Sequence, residues 1–308
     1  MRLFKKTAID FMGKRKIWYT ISGITLFVGL LAIIFKPVNY SIDFLGGTEL
    51  LVRFQSPPSI NEVRTTMDKI GLAGSEIKTF GAPRDILLRT SEQEEGSKIA
   101  DRIRAGISAQ FQDNKFEVLR EEKIGPKIGA ELRKNAVYAV IAVLVIILIY
   151  IGFRFKFIYG VAAVIALFHD VLLTLGLVIL FNGLSPHLNL EISQNLMAAF
   201  LTLIGFSTSD TVIVFDRIRE NLKIYRSEDL FTVMNKSINE VLSRTVITSG
   251  TVMIVLVVLI IFGGEVNRGF AFTFLIGTIT GTYSSIYVAS AIVLDYTRYK
   301  NLKAHQVA

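Results

Sequence analysis

The chain has 308 residues, 51% of them hydrophobic, with a net charge of +8 at pH 7 and no cysteine. The absence of cysteine excludes a disulfide framework. Because the basic residues cluster at the borders of long apolar runs, the charge indicates membrane topology and contact with lipid headgroups, and no nucleic-acid partner is expected. The composition therefore predicts an α-helical membrane protein.

Six runs are apolar and long enough to cross a bilayer at ~1.5 Å of rise per residue. In chain order they cover residues 17–35, 136–153, 157–182, 192–215, 245–264 and 269–294. The first run follows basic residues, as a signal peptide does, but it is longer than a signal-peptide core and Lys36-Pro37-Val38 offers no small-x-small cleavage site. We interpret it as a retained anchor, so six transmembrane helices are expected.

The placement of Lys and Arg predicts the orientation of these spans. Basic residues precede span one, separate spans two and three and spans four and five, and follow span six: Arg2, Lys5, Lys6, Lys14, Arg15, Lys16, Arg154, Lys156, Arg217, Arg219, Lys223, Arg226, Lys236, Arg244, Arg298, Lys300 and Lys303. The opposite connections, 182–191 and 263–268, contain Arg268 as their single basic residue. Residues 1–16 and 295–308 are therefore expected to be cytoplasmic, on either side of the bundle that spans two to six form over 136–294.

Residues 36–135, between the first two spans, have the mixed, charged composition of a soluble domain outside the cytoplasm. Alternation of Leu50, Val52 and Phe54 predicts a strand. Ser59, three residues before Glu62, has the spacing of a capping box and predicts a helix that ends at Gly71.

Two further strands and a second helix follow in this domain. Residues 77–80 and 86–88 predict a hairpin whose turn contains Gly81 and Pro83. A second capping box, Ser91 with Glu94, predicts a helix whose apolar residues recur every four positions up to Phe111, and residues 116–120 predict the last strand. The order β-α-β-β-α-β is that of a ferredoxin-like α+β domain.

This domain has no hydrolytic or cofactor constellation and no cysteine or histidine that would bind a metal. Neither a nucleophile with its base nor a phosphate-binding loop is found anywhere in the chain, so an enzyme is the least expected class, with no cofactor and no metal. Contact with another protein or with an emerging polypeptide is the functional interpretation. Asp43, Gly46 and Gly47, just after span one, predict a turn or bulge where the chain leaves the bilayer.

Asp210 lies in the otherwise uncharged run 192–215. An ionisable group at that depth costs at least ~2.5 kcal/mol, so it is a functional candidate. Four small hydroxyl residues surround it, Ser207, Thr208, Ser209 and Thr211, and Arg244 at the start of the next span is a candidate counter-charge. The alternative is a carboxylate that only faces neighbouring helices or reaches toward the nearer interface.

His169 and Asp170 are adjacent within span three. Neighbouring residues on a helix point ~100° apart, so we expect these two not to share one contact. Either residue is a candidate for a proton relay, and a structural, hydrogen-bonded pair is an equally good interpretation.

Small residues four apart mark span six: Gly277, Gly281, Ser285 and Ala289. Such a stripe lets helices approach closely, and we interpret it as a helix interface rather than a transport feature. Gly281 is expected to tolerate Ala but not Leu, because side-chain volume limits close approach.

Several segments resemble one known family. The segments are IDFLGGTEL at 42–50, DTVIVFDRIREN at 210–221, VLSRTVITSGT at 241–251, FGGEVNRGFAF at 262–272 and GTYSSIYVAS at 281–290. They are similar to SecF, the smaller membrane subunit of the bacterial SecD/SecF protein-export complex. The C-terminal resemblance covers about 80 residues, as read from these segments, and the arrangement of spans covers the whole chain.

The resemblance implies a proton-driven accessory subunit of the Sec translocase in the bacterial inner membrane, built as half of a resistance-nodulation-division type bundle. The implied partners are a SecD-like subunit, a channel of the SecY, SecE and SecG type, and exported unfolded polypeptides. Within the family, Asp210 and Arg244 match the proton-coupling site. A half-subunit of a small-molecule efflux transporter and a scaffold of a membrane complex are the alternatives, and the residues leave protons or sodium open as the coupling ion.

Overall fold

The computed structural model describes residues 7–92, 94, 97–184, 188 and 190–307. Arg2, Lys5 and Lys6, used above for the orientation, lie outside the described residues. Both ends of the described chain lie on one side of the helical bundle, called here the terminal side. The opposite side carries a small β-sheet and is called the sheet side.

Six helices in the described part of the chain are long and apolar enough to cross a membrane, which confirms the predicted number. They are α1 (Arg15–Phe35), α5 (Pro126–Arg154), α6 (Phe157–Phe181), α7 (Gln194–Ile224), α8 (Leu230–Phe262) and a last span made of α9 (Gly264–Ser284), a π-helical segment (Ser285–Ala289) and α10 (Ser290–Val307). Helix α5 begins ten residues before the predicted span, with Pro126 in its first turn. Proline suits this position because the first N–H groups of a helix have no intrahelical partner.

Between α1 and α5 lie α2 (Ile42–Leu45), β1 (Gly47–Phe54), α3 (Ile60–Lys69), β2 (Glu76–Phe80), β3 (Ala82–Thr90), α4 (Lys98–Gln110) and β4 (Phe116–Ile124). The four strands form one antiparallel sheet in the order β2-β3-β1-β4, which confirms the ferredoxin-like prediction. Leu50 and Val52 are fully buried on the sheet face that packs against α3 and α4 with Ile103. This part is called the sheet domain below.

Of the predicted helix ends in the sheet domain, those of α3 are found and the start of α4 is not. Gly71 adopts φ 75° just past α3, as a helix-terminating glycine does. Ser59 occupies the N-cap of α3, but its side chain makes no capping hydrogen bond. The second predicted capping box is wrong, because α4 begins at Lys98 with Ser97 at its N-cap. Strand β3 continues to Thr90, and Glu94 pairs with Arg102 at 2.6 Å instead of capping a helix.

The sheet domain is attached to the bundle next to the start of α7. Ser41 donates its N–H to the carbonyl of Ile192 at 3.1 Å, and Ile192 donates to Asn39 at 2.8 Å. These bonds join the segment after α1 to the segment before α7. The first turn of α7 is therefore held by the residues that lead into the sheet domain.

The last span changes helical type part-way. Residues Ser285–Ala289 form a π-helical turn, and all five are buried. The Ser290 hydroxyl donates to the carbonyl of Ser285 at 2.8 Å, an acceptor five residues earlier. Gly277 and Gly281 of the predicted stripe lie in α9, whereas Ser285 and Ala289 lie in this π-helical turn. A continuous interface along all four residues stays a prediction.

Candidate functional site

Asp210 lies near the middle of the 31-residue helix α7 and is 2% exposed. The Ser249 hydroxyl on α8 donates to Asp210 Oδ2 at 3.2 Å, and the Thr282 hydroxyl on α9 donates to Ser249 Oγ at 2.9 Å. Within the described residues Ser249 is the one side chain that donates to Asp210. The carboxylate therefore sits where three helices meet and retains oxygen lone pairs that a proton can occupy.

Asp170 on α6 is fully buried and accepts more hydrogen bonds than Asp210 does. The hydroxyls of Ser207 on α7 and Ser284 on α9 both donate to its Oδ2 at 2.7 Å. Its Oδ1 lies 2.9 Å from His169 Nδ1. Both carboxylate oxygens thus have partners, and α6, α7 and α9 are joined through one side chain.

His169 and Asp170 contact each other although they are neighbours on one helix, as the interpretation of a hydrogen-bonded pair expects. Nδ1 of the His169 imidazole faces the carboxylate of Asp170. Its Nε2 lies 3.2 Å from the Tyr283 hydroxyl, which accepts from Ser22 on α1 at 3.3 Å. A chain of polar groups therefore runs from α1 through α9 to α6, and it is called the Asp170 chain below.

Arg244 is exposed and lines a groove of ≈ 1060 Å³ on the terminal side of the bundle. Among the ion pairs of the described residues none joins Arg244 to Asp210, so the predicted pair is not in direct contact in this structure. Asn235 and Asn239 border the same groove and bind the backbone of the N-terminal segment at Met12 and Ile9, at 2.9 and 3.0 Å.

Between the groove and Asp210 are two buried hydroxyls, Thr245 on α8 and Thr211 on α7. Neither hydroxyl has a hydrogen-bond partner in the described chain. Thr245 precedes Ser249 by one helical turn, and Thr211 follows Asp210 directly. Unsatisfied buried hydroxyls bind water readily where space allows. These two residues thus mark polar positions on the terminal side of Asp210.

The glycines of span six bring α9 against α7. A Cβ atom on Gly277 would lie 2.7 Å from the side chain of Leu203, and one on Gly281 would lie 2.8 Å from the Cβ of Ser207. The second distance corrects the expectation that Gly281 tolerates Ala, because real Cβ atoms do not approach so closely. Since Ser207 donates to Asp170, this close approach also positions the carboxylate.

At the other end of α7, Asp43 and the two glycines form the entry to the sheet domain. Gly46 and Gly47 have φ of 77° and 140°, a backbone that favours glycine. A Cβ on Gly47 would lie 2.4 Å from the carbonyl oxygen of Thr90. Asp43 Oδ2 accepts the N–H of Gln194, the first residue of α7, at 2.8 Å. A carboxylate at a helix N-terminus is stabilised by its free N–H groups and dipole.

Two family models match these parts of the chain. The model described as "Protein export membrane protein SecD/SecF, C-terminal" matches residues 105–299, and the "SecD/SecF GG Motif" matches residues 31–58. The chain belongs to the SecD/SecF family. The first model spans Asp170, Asp210 and Arg244, and the second spans Asp43 and the two glycines.

Relatives share this family over nearly their whole length. The protein translocase subunit SecF of Rhodothermus marinus is 41% identical over 295 residues, covering 96% of this chain and 95% of the relative. The protein translocase subunit SecF of Desulfurispirillum indicum is 43% identical over 304 residues, covering 96% of this chain and 94% of the relative.

Solved structures share the fold. The crystal structure of SecDF, a translocon-associated membrane protein from Thermus thermophilus, matches with a TM-score of 0.81 at 36% identity. That match covers 94% of this chain and 39% of the SecDF chain. SecDF in a super-membrane-facing form matches with a TM-score of 0.70 at 34% identity, covering 41% of that chain. This chain therefore spans well under half of the SecDF chains.

Of the residues singled out from the sequence, Asp170, His169, Gly281 and Asp210 lie close to the contact between α7 and α9, and Arg244 lies apart from them. Sequence reasoning missed the Asp170 chain members Ser22, Tyr283 and Ser284, as well as Thr245. Serine, threonine and tyrosine are common in membrane helices, so only the helix packing distinguishes these members from other hydroxyls.

Proposed function

We propose that this chain is an accessory subunit of the Sec protein translocase that, with a SecD-like partner, uses the proton gradient to promote protein export across the bacterial inner membrane. The observation that carries the proposal is Asp210, a buried carboxylate at the junction of three membrane helices that accepts from one donor in the described part of the chain. The names of the relatives and the SecDF structures support the same function.

Alternating protonation of Asp210 is the proposed coupling step. Burial favours the neutral form of a carboxylic acid, and a nearby cation favours the charged form. Arg244 is exposed and unpaired with Asp210 in this structure, so a shift of α8 that brings it nearer would favour release of the proton. Helix movement and proton exchange then become one event.

The free energy available from one proton limits how far it can shift a conformational equilibrium. One charge that crosses ~100 mV is worth ~2.3 kcal/mol, and one pH unit adds ~1.4 kcal/mol. Moving a two-state equilibrium from 1:99 to 99:1 needs ~5.5 kcal/mol. A single proton at these values biases the position of the sheet domain, and a larger gradient, further protons or contacts with partners supply the remainder.

The proposed partners follow from the match to SecDF structures and from the resemblance to SecF. A SecD-like subunit supplies the remainder of the SecDF chains, of which this chain matches 39% and 41%. A channel of the SecY, SecE and SecG type and an exported unfolded polypeptide are the other proposed partners. Export into vesicles that contain the complex, measured with and without an imposed proton gradient, tests the function. An imposed sodium gradient at constant pH distinguishes the two coupling ions.

The proposed orientation places both termini in the cytoplasm and the sheet domain in the periplasm. A periplasm-active reporter fused after Gln93, which lies outside the described residues, is expected to be active, and one fused after Tyr225 inactive. The reason is the excess of Lys and Arg on the terminal side. The reverse pattern of reporter activity would place the sheet domain in the cytosol and overturn the orientation.

A separate prediction concerns the Asp170 chain as a proton relay. Tyr283→Phe removes the hydroxyl between Ser22 and His169 but keeps the ring, which stacks on Trp18 at 5.5 Å. Gradient-dependent stimulation of export is expected to fall, while export without a gradient is unchanged. Tyr287→Phe is the matched control, because Tyr287 also stacks on Trp18, at 4.5 Å, without contacting His169. Equal effects of the two variants would assign the Asp170 chain a structural role.

A further inference from the structure

A cluster of ion pairs joins the sheet domain to the segment before α7. Glu191 lies two residues before the N-cap Ser193 and is 8% exposed. Its Oε2 pairs with Arg89 Nη1 on β3 at 2.7 Å, and its Oε1 pairs with Lys78 on β2. Glu191 is thus a residue of the bundle whose carboxylate is bound by two cations of the sheet. Together with Glu49 and Glu76 these residues are called the Glu191 cluster.

The sheet side of the cluster is built by strand register. Glu76 and Glu49 face Arg89 on the two neighbouring strands, so the three side chains form one row across the sheet. Arg89 Nη2 pairs with Glu49 at 2.7 Å, and Nη1 pairs with Glu76 at 2.9 Å. The two carboxylates of the sheet therefore orient the Arg89 guanidinium toward Glu191.

The charges of this cluster hold one another in place. Burial acts to raise the pKa of Glu191, but the attraction of Arg89 and Lys78 outweighs it and holds the pKa below its ordinary value. Burial acts to lower the pKa of Arg89, but the attraction of the Glu191 and Glu49 carboxylates is stronger and raises this pKa above its ordinary value. Removing one partner of such a buried pair leaves an uncompensated charge. The contact is therefore costly to open.

Two further contacts hold the same end of α7. Asp43 accepts the N–H of Gln194, and Ile192 exchanges backbone hydrogen bonds with Asn39 and Ser41. Helix α7 then runs as one α-helix of 31 residues, without proline, to and beyond Asp210. A displacement of α7 is consequently transmitted to these contacts with little internal bending.

We propose that Glu191 is a positioning residue that links the sheet domain to α7, so that movement of α7 on protonation of Asp210 moves the sheet domain. This inference rests on the proposed function for its driving force. Three contacts among the described residues join α7 to the sheet domain: the ion pairs of Glu191, the Asp43 hydrogen bond and the backbone bonds of Ile192. Of these, the Glu191 contact is the one that binds the strands of the sheet through charged side chains. Without its charge, α7 and the sheet domain remain joined by backbone contacts but lose their fixed orientation.

The test uses a matched pair of substitutions in the full chain with its SecD-like partner. Glu191→Gln removes the charge that crosses from the bundle to the sheet. Glu76→Gln removes a carboxylate from the same two cations, at 2.9 Å from Arg89 and 3.1 Å from Lys78, but lies wholly within the sheet. Both substitutions keep the side-chain volume. They differ in whether the lost charge joins the two parts of the molecule.

Domain movement is measured by pulsed electron paramagnetic resonance. The chain has no cysteine, so cysteines introduced at the exposed residues Asp113 and Phe262 carry the only spin labels on this subunit. We expect Asp210→Asn to shift the distance between the labels in the otherwise native chain and in Glu76→Gln, but not in Glu191→Gln. A shift that persists in Glu191→Gln, or one that is absent from the native chain, overturns the inference.

Export separates this inference from the proposed function. In Glu191→Gln, gradient-stimulated export is expected to fall to the rate without a gradient, as in Asp210→Asn. If Asp210→Asn keeps full stimulation, the proposed function fails; if Asp210→Asn loses it and Glu191→Gln keeps it, only the linkage fails. Should Glu191→Gln not be recovered with the partner, Lys78→Gln removes one of its two cations, and a partial loss of the distance shift is expected. An unchanged shift in Lys78→Gln counts against the linkage.

Discussion

Asp210→Asn is expected to abolish gradient-dependent stimulation of export while the protein still inserts and associates with its partner. The amide keeps the size and polarity of the carboxylate and still accepts the hydrogen bond from Ser249, but it cannot release a proton. Export into vesicles with and without an imposed proton gradient measures the effect. Asp216→Asn is the control, because Asp216 lies on the same helix, near Arg154 and Arg219, at the terminal side.

Arg244→Ala extends this prediction to the coupling cycle. The substitution removes the cation that favours the charged form of Asp210, so the cycle is expected to stop with the proton bound. Because both substitutions block one step, the double variant should be no worse than either single variant. Full stimulation in Asp210→Asn would remove Asp210 from the mechanism. Independent, additive losses would show that Arg244 acts elsewhere, for example at the groove it lines.

Gly281→Ala is expected to destabilise the bundle although it adds a single methyl group. The new Cβ would lie 2.8 Å from Ser207 Cβ and 3.0 Å from Ser207 Oγ, so α7 and α9 must separate. Overpacking of this kind costs ~1–3 kcal/mol. The displacement also weakens the hydrogen bond from Ser207 to Asp170, at 2.7 Å in the native chain. Gly281→Leu should be worse and should reduce recovery of the complex.

The matched control for this prediction is Gly205→Ala on α7. A Cβ at Gly205 meets nothing within 4 Å in this chain. Replacing a helical glycine by Ala at an open position stabilises by ~0.5–1 kcal/mol, so the two substitutions should have opposite signs. Thermal unfolding of the purified complex in detergent measures both. A melting temperature of Gly281→Ala equal to that of Gly205→Ala would show that α9 does not pack on α7 as described.

Sequence reasoning succeeded where the signal is local. The six spans follow from the length of apolar runs, a property that each segment carries independently of its neighbours. The sheet domain was predicted from alternation at Leu50, Val52 and Phe54 and from the helix-terminating Gly71, again over short stretches. Each of these signals is carried by the residues of one short segment, so it can be recognised before the segment is packed against others.

The second helix of the sheet domain shows why a local signal fails. Ser91 and Glu94 have the spacing of a capping box, yet the pairing of β3 with β1 extends to Thr90 and leaves residues 91–97 to connect the sheet to α4. Each capping interaction is worth only ~1 kcal/mol. A signal of this size is easily overridden, and here Glu94 pairs with Arg102 instead.

For the candidate site, the sequence by itself determined which carboxylates lie in the membrane, because a charge in an apolar run is visible without a structure. Asp170 and Asp210 were found in this way. Tertiary structure alone decided that Asp170 is held by Ser207, Ser284 and His169, whereas Asp210 has one donor among the described residues. It also decided that Arg244 faces a groove. The tertiary structure also decided that Glu191 forms an ion pair with Arg89 of the sheet. The free-energy cost of placing a charged side chain in the membrane depends on that residue and its own segment. A hydrogen bond between two helices depends on how the helices cross, and that geometry is a property of the packed bundle.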